Sequence, residues 1–552
     1  MTKKLLIAGA VLALFSSCNM KNPLLMESTA PFGAPQFDKI RNEHYLPAFE
    51  AGIAEAKAEI DAIVANEEEP TFANTIEAME YSGQTLNTVA GIFYNLMEAN
   101  TSDEMQEIAE KVSPMLTEYS MYVSLNAPLF ERVKAVYEKK DELGLDADQM
   151  RLLEQNYMGF VRGGANLSDE DKALYSKWAE ELSLLTLQFS KNVLAATNAY
   201  TLHVTDSTEL AGLPEYVKTM GAEAAAEKGL EGWAFTLDYP SFSPFLKYST
   251  NRELRKQIWT AYNTRAIGGD FDNTENVKKI IDLRIKMANI LGYETFADYA
   301  LEDRMAKNRT TVNQFVKNLL EPSLVYAKKD IADVYKYAKK NGFEGKELMP
   351  WDFSYWSERY QEAEYALSAE ELKPYFQLES CIDAVFGLAT RLYGISFAEL
   401  NDVPVYHEDV KVYEVKDADG RHLALFYADF FPRASKRGGA WMTSFREQSI
   451  QNGVEYRPFI SIVCNFTKPT ADTPALITHD ELTTFLHEFG HALHGIFAEG
   501  RYTSLTGTNV SRDFVELPSQ IMENWAFEPE YLNSFAKHYQ TGEPIPAELI
   551  DL

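Results

Sequence analysis

The sequence predicts a mainly α-helical protein with a small antiparallel β-sheet directly before its most distinctive helix. Three observations support this fold class. From about residue 44 onward, most apolar residues recur at helical spacing. Between about residues 402 and 469 the pattern becomes strand-like. The chain has 552 residues and a hydrophobic content of 46%, which is enough for a large buried core.

The N-terminus has the features of a bacterial export signal. Lys3 and Lys4 are followed by an apolar stretch of eleven residues, numbers 5–15. This length fits the core of a signal peptide and is short for a membrane span. We therefore predict a signal peptide over residues 1–17 and an exported, periplasmic protein.

A lipid anchor is predicted immediately after the signal peptide. Ser16-Ser17-Cys18 is similar to a lipobox, in which Cys18 becomes the lipidated first residue after cleavage. Residues 18–36 contain three prolines and are predicted to form the lipid anchor and an irregular tether. Phe15, three positions before the Cys, is less usual there than Leu. A soluble, signal-cleaved product therefore remains the alternative.

Residues 37–400 are predicted to form a helical lobe region. Its clearest helix follows Ser168, with Asp171 three residues later as an acidic capping signal. We interpret the apolar stripe of this helix as a face packed into the core. The stripe consists of Leu174, Trp178, Leu182, Leu185, Phe189 and Val193.

The C-terminal region, residues 401–552, is predicted to start with the sheet. Residues 410–416 and 422–431 are strand-like and flank Asp417-Ala418-Asp419-Gly420, which is a hairpin signal. An edge strand of such a sheet can pair with an extended peptide, although the hairpin can equally be structural alone. Further strands are predicted at residues 441–445 and 458–466.

The most informative feature of the chain is His487-Glu488-Phe489-Gly490-His491. Two imidazoles four residues apart on a helix face the same way and can share one zinc ion, and the intervening Glu can transfer a proton. A helix is predicted because Thr478 and Glu481 form a capping box. Gly490 weakens such a helix by about 1 kcal/mol relative to Ala, which indicates close approach of another backbone or of substrate. The apolar stripe comprises Leu482, Phe485, Leu486, Phe489, Leu493 and Phe497.

A third zinc ligand is expected from a second helix over residues 511–522, with Pro518 near a bend or early turn. Glu516 is the best third ligand. Three protein ligands leave one position open, as a catalytic zinc requires. Asp513 and Glu523 share its face and are candidates for holding the ligand imidazoles, but taken alone we interpret both as solvated.

The remaining histidines are not expected to bind metal. His494 lies three residues after His491, and a fourth protein ligand would close the site, so we expect it to pack beside the site or support it. The others show no ligand spacing and are expected at the surface or hydrogen-bonded: His44, His203, His407, His422, His479 and His538.

Charge and cysteine content exclude some functions. The formal net charge is −30, so nucleic-acid binding is not expected, because phosphate contacts need clustered Lys and Arg. Besides Cys18, the chain has Cys381 and Cys464, whose spacing indicates neither a metal site nor a disulfide. We expect two buried thiols.

From about residue 22 to its end, the chain resembles the thimet oligopeptidase and neurolysin family of zinc metallopeptidases, and within it the peptidyl-dipeptidase (Dcp) branch. The resemblance includes the zinc motif with its extension Ala492-Leu493-His494-Gly495. It also includes Pro70-Thr71-Phe72 with Asn74-Thr75-Ile76, Lys436-Arg437-Gly438-Gly439-Ala440-Trp441, Cys464-Asn465-Phe466-Thr467-Lys468-Pro469, Gly507-Thr508-Asn509-Val510 and Arg512-Asp513-Phe514-Val515-Glu516.

The resemblance implies a large, two-lobed helical channel fold with residues 401–552 as its catalytic region. It implies that His487, His491 and Glu516 bind one zinc ion per chain and that Glu488 is the catalytic base. Zinc-bound water, assisted by Glu488, would attack short unstructured peptides and release C-terminal dipeptides. It also favours a substrate role for the edge strand, and we expect a monomer.

Two alternatives remain. The first is an endo-acting oligopeptidase of the same family. The second follows from the end of the chain at Leu552, because family members continue with a helical segment that carries Tyr- and Gly-rich motifs and supplies transition-state donors. The C-terminal part of the family fold is therefore expected to be missing: either the chain is a fragment of a longer gene product, or it is a truncated, inactive peptide-binding lipoprotein.

Overall fold

Residues 22–551 are described by a computed structural model, so the predicted signal peptide and Cys18 lie outside the described residues. Helices build most of this stretch, which confirms the mainly α prediction. No helix among residues 22–551 is both long enough and apolar enough to cross a membrane. The α-helices of five or more residues are α1 (Tyr45–Val64), α2 (Gln84–Ala99), α3 (Asp103–Ser124), α4 (Ala127–Glu138), α5 (Ala147–Arg162), α6 (Asp169–Ala199), α7 (Glu215–Glu227), α8 (Tyr239–Tyr248), α9 (Arg252–Asn263), α10 (Thr274–Ile290), α11 (Phe296–Leu301), α12 (Arg309–Lys340), α13 (Pro350–Tyr365), α14 (Leu378–Tyr393), α15 (His479–Ile496), α16 (Leu517–Glu523), α17 (Pro529–Phe535) and α18 (Ala547–Asp551).

The strands of the described chain form one five-stranded sheet and two small two-stranded sheets. The strands are β1 (Leu202–Val204), β2 (Trp233–Phe235), β3 (Ser396–Leu400), β4 (Lys411–Lys416), β5 (His422–Asp429), β6 (Trp441–Arg446), β7 (Ser449–Gln451), β8 (Val454–Tyr456) and β9 (Phe459–Val463). The larger sheet has the order β3-β4-β5-β9-β6, and the small ones pair β1 with β2 and β7 with β8.

The predicted hairpin is present as β4 and β5. Gly420 closes its turn at φ 86°, a left-handed conformation that glycine adopts without strain. The sheet is antiparallel apart from one pair, β5 with β9, which is parallel. Residues 430–458 return the chain so that β9 begins beside Leu425, and β6 pairs with the other side of β9 at the edge of the sheet. The sequence did not predict β3.

The five-stranded sheet is buried on both faces. One face packs against α14 and α15, where Val385, Phe426 and Phe489 share a core. The opposite face packs against α1, α2 and α3 through residues such as Leu425 and Tyr427. The sheet therefore joins the N-terminal helices to α15, and the core around α15 begins at α14, before residue 401.

The long helix α6 begins where the sequence predicts, but its apolar face is not packed as predicted. The backbone N–H of Asp171 donates to Ser168 Oγ at 3.2 Å, as the capping signal indicates. However, the predicted apolar stripe is not a core face. Leu174 and Phe189 are 37% and 39% exposed, and Tyr175 is the one buried residue of this 31-residue helix. The core interpretation of the stripe is wrong, because α3 and α10 cover α6 incompletely.

The described part of the predicted tether, residues 22–36, is irregular but attached to the folded chain. Asn22 Nδ2 donates to the carbonyl of His44 at 2.9 Å. Leu24 and Ala34 are buried in the core between α1 and the sheet. The folded part of the chain therefore begins well before residue 37.

Candidate metal centre

Helix α15 starts and packs as its sequence predicts. Thr478 Oγ1 accepts from the N–H of Glu481 at 3.1 Å, and Glu481 Oε2 accepts from the N–H of Thr478 at 2.9 Å, which forms the capping box. The predicted stripe is buried at Leu482, Phe485, Leu486, Phe489 and Leu493, and only Phe497, beyond the helix end, is 37% exposed. This anchoring leaves the other face of α15 to carry the two histidines.

The structure brings His487, His491 and Glu516 together. Glu516 Oε2 lies 3.3 Å from His487 Nε2 and 3.1 Å from His491 Nε2. One ligand atom from each residue lies within 4.8 Å of the other two. Two imidazole nitrogens and one carboxylate oxygen are the donor set of catalytic zinc sites, which keep a fourth position open. The residues therefore fit a zinc ion.

Glu516 reaches the histidines from a turn rather than from within a helix. The predicted helix over residues 511–522 begins only at Leu517, so the predicted start is wrong. Pro518 explains the difference, because it has no N–H to donate and is favoured in the first turn of a helix. Glu516 occupies the N-cap position immediately before α16.

Gly490 allows α16 to approach α15. A Cβ atom at this position would lie 2.3 Å from the carbonyl oxygen of Pro518 and 2.7 Å from Ser519 Cα. The prediction of a close backbone approach is therefore confirmed. The contact fixes the start of α16 against the zinc-motif helix, two residues from Glu516.

Two side chains hold the metal-facing groups in place. Glu523 Oε1 lies 2.6 Å from His487 Nδ1, which directs Nε2 of that ring toward Glu516. The interpretation of Glu523 as a solvated acid is therefore wrong. Ser519, which is buried, donates to Glu516 Oε2 at 2.8 Å. Asp513 lies apart from the imidazoles and accepts from the N–H of Met305 at 2.9 Å.

Electrostatics favour the metal-binding forms of the ligands. Burial lowers the pKa of His491, so its neutral ring is favoured. Burial raises the pKa of Glu516, but the hydrogen bond from Ser519 and the two imidazoles outweigh it and leave that pKa below its ordinary value. A neutral imidazole and an ionised carboxylate are the forms that bind zinc.

Glu488 is set up to exchange a proton. It is 5% exposed, and burial raises its pKa to about 7; the adjacent His487 lowers it and Glu516 raises it. A carboxyl group with a pKa near neutrality can both accept and release a proton at working pH.

The remaining histidines and the cysteines lie outside the set of three ligands. His494 has no hydrogen-bond partner at Nδ1 within residues 22–551 and lines a cavity of about 390 Å³ beside α16, with its ring 6.2 Å from that of Phe514. Cys381 and Cys464 are buried thiols, as predicted. The remaining histidines each form a hydrogen bond, as predicted: His44, His203, His407, His422, His479 and His538.

The edge strand β6 lies against the zinc-motif helix. A Cβ atom on Gly495 would lie 2.9 Å from the terminal methyl of Met442. No strand within residues 22–551 pairs with the outer edge of β6. Asn95 of α2 donates to the carbonyl of Ser444 at 2.8 Å and covers one end of that edge. Pairing of this edge with an extended peptide stays a prediction.

Comparisons with known proteins place these features in a family. Residues 245–552 match Peptidase family M3, and residues 49–172 match the Neurolysin/Thimet oligopeptidase N-terminal domain. Dipeptidyl carboxypeptidase of Escherichia coli is 41% identical, and Oligopeptidase A of the same organism is 36% identical; each match covers 96% of this chain and 78% of the relative. The solved structure of PZ peptidase A with an inhibitor matches with a TM-score of 0.48 at 17% identity, over 91% of this chain and 71% of that chain.

Proposed function

Because this chain belongs to Peptidase family M3, we propose that it is a zinc metallopeptidase that releases dipeptides from the C-termini of short peptides. The metallopeptidase activity follows from the family. Release of dipeptides follows the dipeptidyl carboxypeptidases, to which the chain is 41% identical. The observation that carries the proposal is the convergence of three ligand atoms beside a buried Glu488.

In the proposed site His487, His491 and Glu516 hold one zinc ion per chain. Zinc bound there supplies a Lewis acid for the scissile carbonyl and lowers the pKa of water. Glu523 keeps His487 in the orientation that presents Nε2, and Ser519 keeps Glu516 Oε2 in place. These two contacts hold the ligand side chains in position before the metal binds. Less conformational freedom is therefore lost on binding.

Glu488 is proposed as the general base and then the general acid. Its carboxylate takes a proton from the attacking water, and the same proton goes to the leaving amine nitrogen. The pKa of about 7 suits both transfers at neutral pH. The substrate would lie extended along the outer edge of β6, with backbone hydrogen bonds to residues before Ser444.

Metal analysis tests the ligand assignment. We expect the zinc-loaded chain to hold one zinc ion and His487→Ala to lose both the metal and peptide hydrolysis. His479→Ala is the matched control, because His479 lies on the same helix and bonds to the carbonyl of Ala526. Stoichiometric zinc in His487→Ala would refute the assignment.

The second candidate is an endo-acting oligopeptidase, which the similarity to Oligopeptidase A favours. One peptide with a free C-terminus and the same peptide amidated separate the two. A peptidyl-dipeptidase recognises the terminal carboxylate, so amidation should abolish cleavage. Unchanged cleavage of the amidated peptide would establish endo-acting cleavage instead. Peptide binding without hydrolysis in either form would support a binding protein.

We also propose that the protein is exported and anchored to a membrane through Cys18, on the basis of the sequence pattern before that residue. Membrane fractionation of cells that express the full chain tests this. Cys18→Ser should move the protein from the membrane to the soluble fraction, whereas Cys381→Ser should not. Equal membrane association of Cys18→Ser and the natural chain would exclude lipid anchoring.

A further inference from the structure

A short segment of the N-terminal helices contacts the chain that follows the zinc-motif helix. This segment, residues 70–76, lies far along the chain from the metal ligands. Phe72–Glu77 forms a π-helical turn, and Thr71 and Asn74 cap its start through reciprocal hydrogen bonds. Such turns are rare and are often found at functional sites. Glu77 and Glu80 project from this turn and its continuation.

Tyr502, six residues after the end of α15, is inserted into this turn. Its hydroxyl donates to Glu77 Oε1 at 2.6 Å, and the residue is 1% exposed. Its ring lies between those of Phe72 and Tyr81, at centroid distances of 6.5 and 6.4 Å. The packing and the hydrogen bond together fix the position of the Tyr502 side chain.

Glu80 holds the next turn of the same chain. Its carboxylate accepts from the backbone N–H of Ser504 at 3.0 Å and from Ser504 Oγ at 2.8 Å. Burial raises the pKa of Glu80, while the bonds from Ser504 lower it. Hydrogen bonds to a charged acceptor are stronger than those to a neutral one.

The chain that Glu77 and Glu80 hold is the linker, residues 501–515, between α15 and Glu516. Its inner side lies on α15, because a Cβ atom on Gly507 would be 3.4 Å from Gly495 Cα. Thr506 Oγ1 donates to the carbonyl of Gln448 at 2.7 Å. The linker is therefore held on one side by α15 and the Gln448 carbonyl and on the other by the N-terminal helices.

We propose that Glu77 and Glu80 are positioning residues of the metal centre: they fix the linker so that Glu516 meets His487 and His491. This inference rests on the proposed function, since it takes Glu516 as a zinc ligand. A linker released at Tyr502 and Ser504 samples more conformations. Glu516 then leaves the metal more often, and zinc dissociates faster from an otherwise folded protein.

Zinc loss from the full-length, zinc-loaded protein tests the proposal. The rate is followed after mixing with an excess of a chelating dye, and kcat and KM are measured in parallel. Glu80→Ala removes the bonds to Ser504, and Tyr502→Phe removes one hydroxyl but keeps the ring. We expect each to accelerate zinc loss about tenfold, which corresponds to about 1.4 kcal/mol, and to lower kcat with little change in KM.

The matched control is Glu59→Ala. Glu59 accepts from the N–H of Gly83 at 2.6 Å. Glu59→Ala therefore removes a similar hydrogen bond in the same helices but leaves the contacts of the linker unchanged. Its zinc loss should equal that of the natural chain even if thermal unfolding shifts. Equal rates of zinc loss for Glu80→Ala, Tyr502→Phe and Glu59→Ala would overturn the proposal. If Glu80→Ala does not fold, the comparison of Tyr502→Phe with Glu59→Ala tests the proposal.

Failure of the proposed function gives a different result. Glu516→Ala should release zinc much faster than any linker variant. If Glu516→Ala retains zinc like the natural chain, Glu516 is not a ligand and both the metal assignment and this inference are wrong. If Glu516→Ala loses zinc but the linker variants do not, only the inference is wrong.

Discussion

Helices α15 and α6 both have apolar stripes at helical spacing, but the stripe of α15 is buried and that of α6 is only partly buried. On α15 the positions Leu482, Phe485 and Phe489 are fully buried. On α6 the positions Leu174 and Phe189 are more than one third exposed. Periodicity therefore predicts that a segment is helical and which of its faces is apolar. It does not predict what covers that face.

The difference lies in what surrounds each helix. α15 packs against β6, β9 and α16, and its stripe faces the sheet. α6 contacts α3 and α10 along part of its 31 residues. Burial on several sides fixes the rotation of α15 about its axis, and this fixes where His487 and His491 point. A helix with a half-exposed stripe such as α6 has no comparable constraint.

The largest effect is expected at the polar face that α15 presents to the metal. Glu488→Gln keeps the shape of the side chain and removes its ability to take a proton. Peptide hydrolysis should fall by about 10²–10⁴-fold, whereas zinc content should not change. Rates and metal content are measured on the same preparation. Glu499→Gln, beyond the end of the helix, is the control, and an active Glu488→Gln would remove Glu488 from the chemistry.

The next largest effect tests the two stripes directly. Phe489 is fully buried, and its ring centroid lies 5.8 Å from those of Phe397 and Phe426. Phe489→Ala should lower the free energy of unfolding by about 3–5 kcal/mol, because it leaves a cavity in a packed core. Phe189→Ala on α6 should cost roughly 1–2 kcal/mol, since part of that side chain already contacts water. Denaturant titration measures both, and equal losses would show that α6 is covered in solution.

The sequence predicted the parts of the site that depend on local chemistry. The capping box at Thr478, the stripe of α15 and the close approach at Gly490 were all predicted from a few neighbouring residues. Glu523 was a candidate partner of the imidazoles but was interpreted as solvated, because a solvated acid and an acid beside an imidazole have the same local sequence. Only the packing of α16 on α15 separates the two cases.

Parts of the fold could not be predicted for the same reason. β3 has no alternating apolar pattern, since its residues are exposed or half-buried. The parallel pairing of β5 with β9 depends on the path of residues 430–458 and not on either strand. The apolar stripe of α6 looked like a core face because sequence gives no information on how many neighbours a helix has.

A smaller effect is expected where α15 meets α16. Gly490→Ala places a methyl group against the backbone of Pro518, so α16 must shift, at a cost of about 1–3 kcal/mol in unfolding free energy and with weaker zinc binding. Gly387→Ala on α14 is the matched control. A Cβ atom there meets nothing within 4 Å, so the change should stabilise the helix by about 0.5–1 kcal/mol. A stabilised Gly490→Ala with normal zinc affinity would contradict the close contact.

The smallest effect is expected on α12, whose apolar residues are more exposed than those of α6. Phe315 is 64% exposed, so Phe315→Ala should change the free energy of unfolding by no more than about 0.5 kcal/mol. Val334, on the same helix, is 4% exposed, and Val334→Ala should cost about 2 kcal/mol. Denaturant titration of both variants measures the contrast within one helix. A loss above about 1 kcal/mol for Phe315→Ala would mean that this face of α12 is covered in solution.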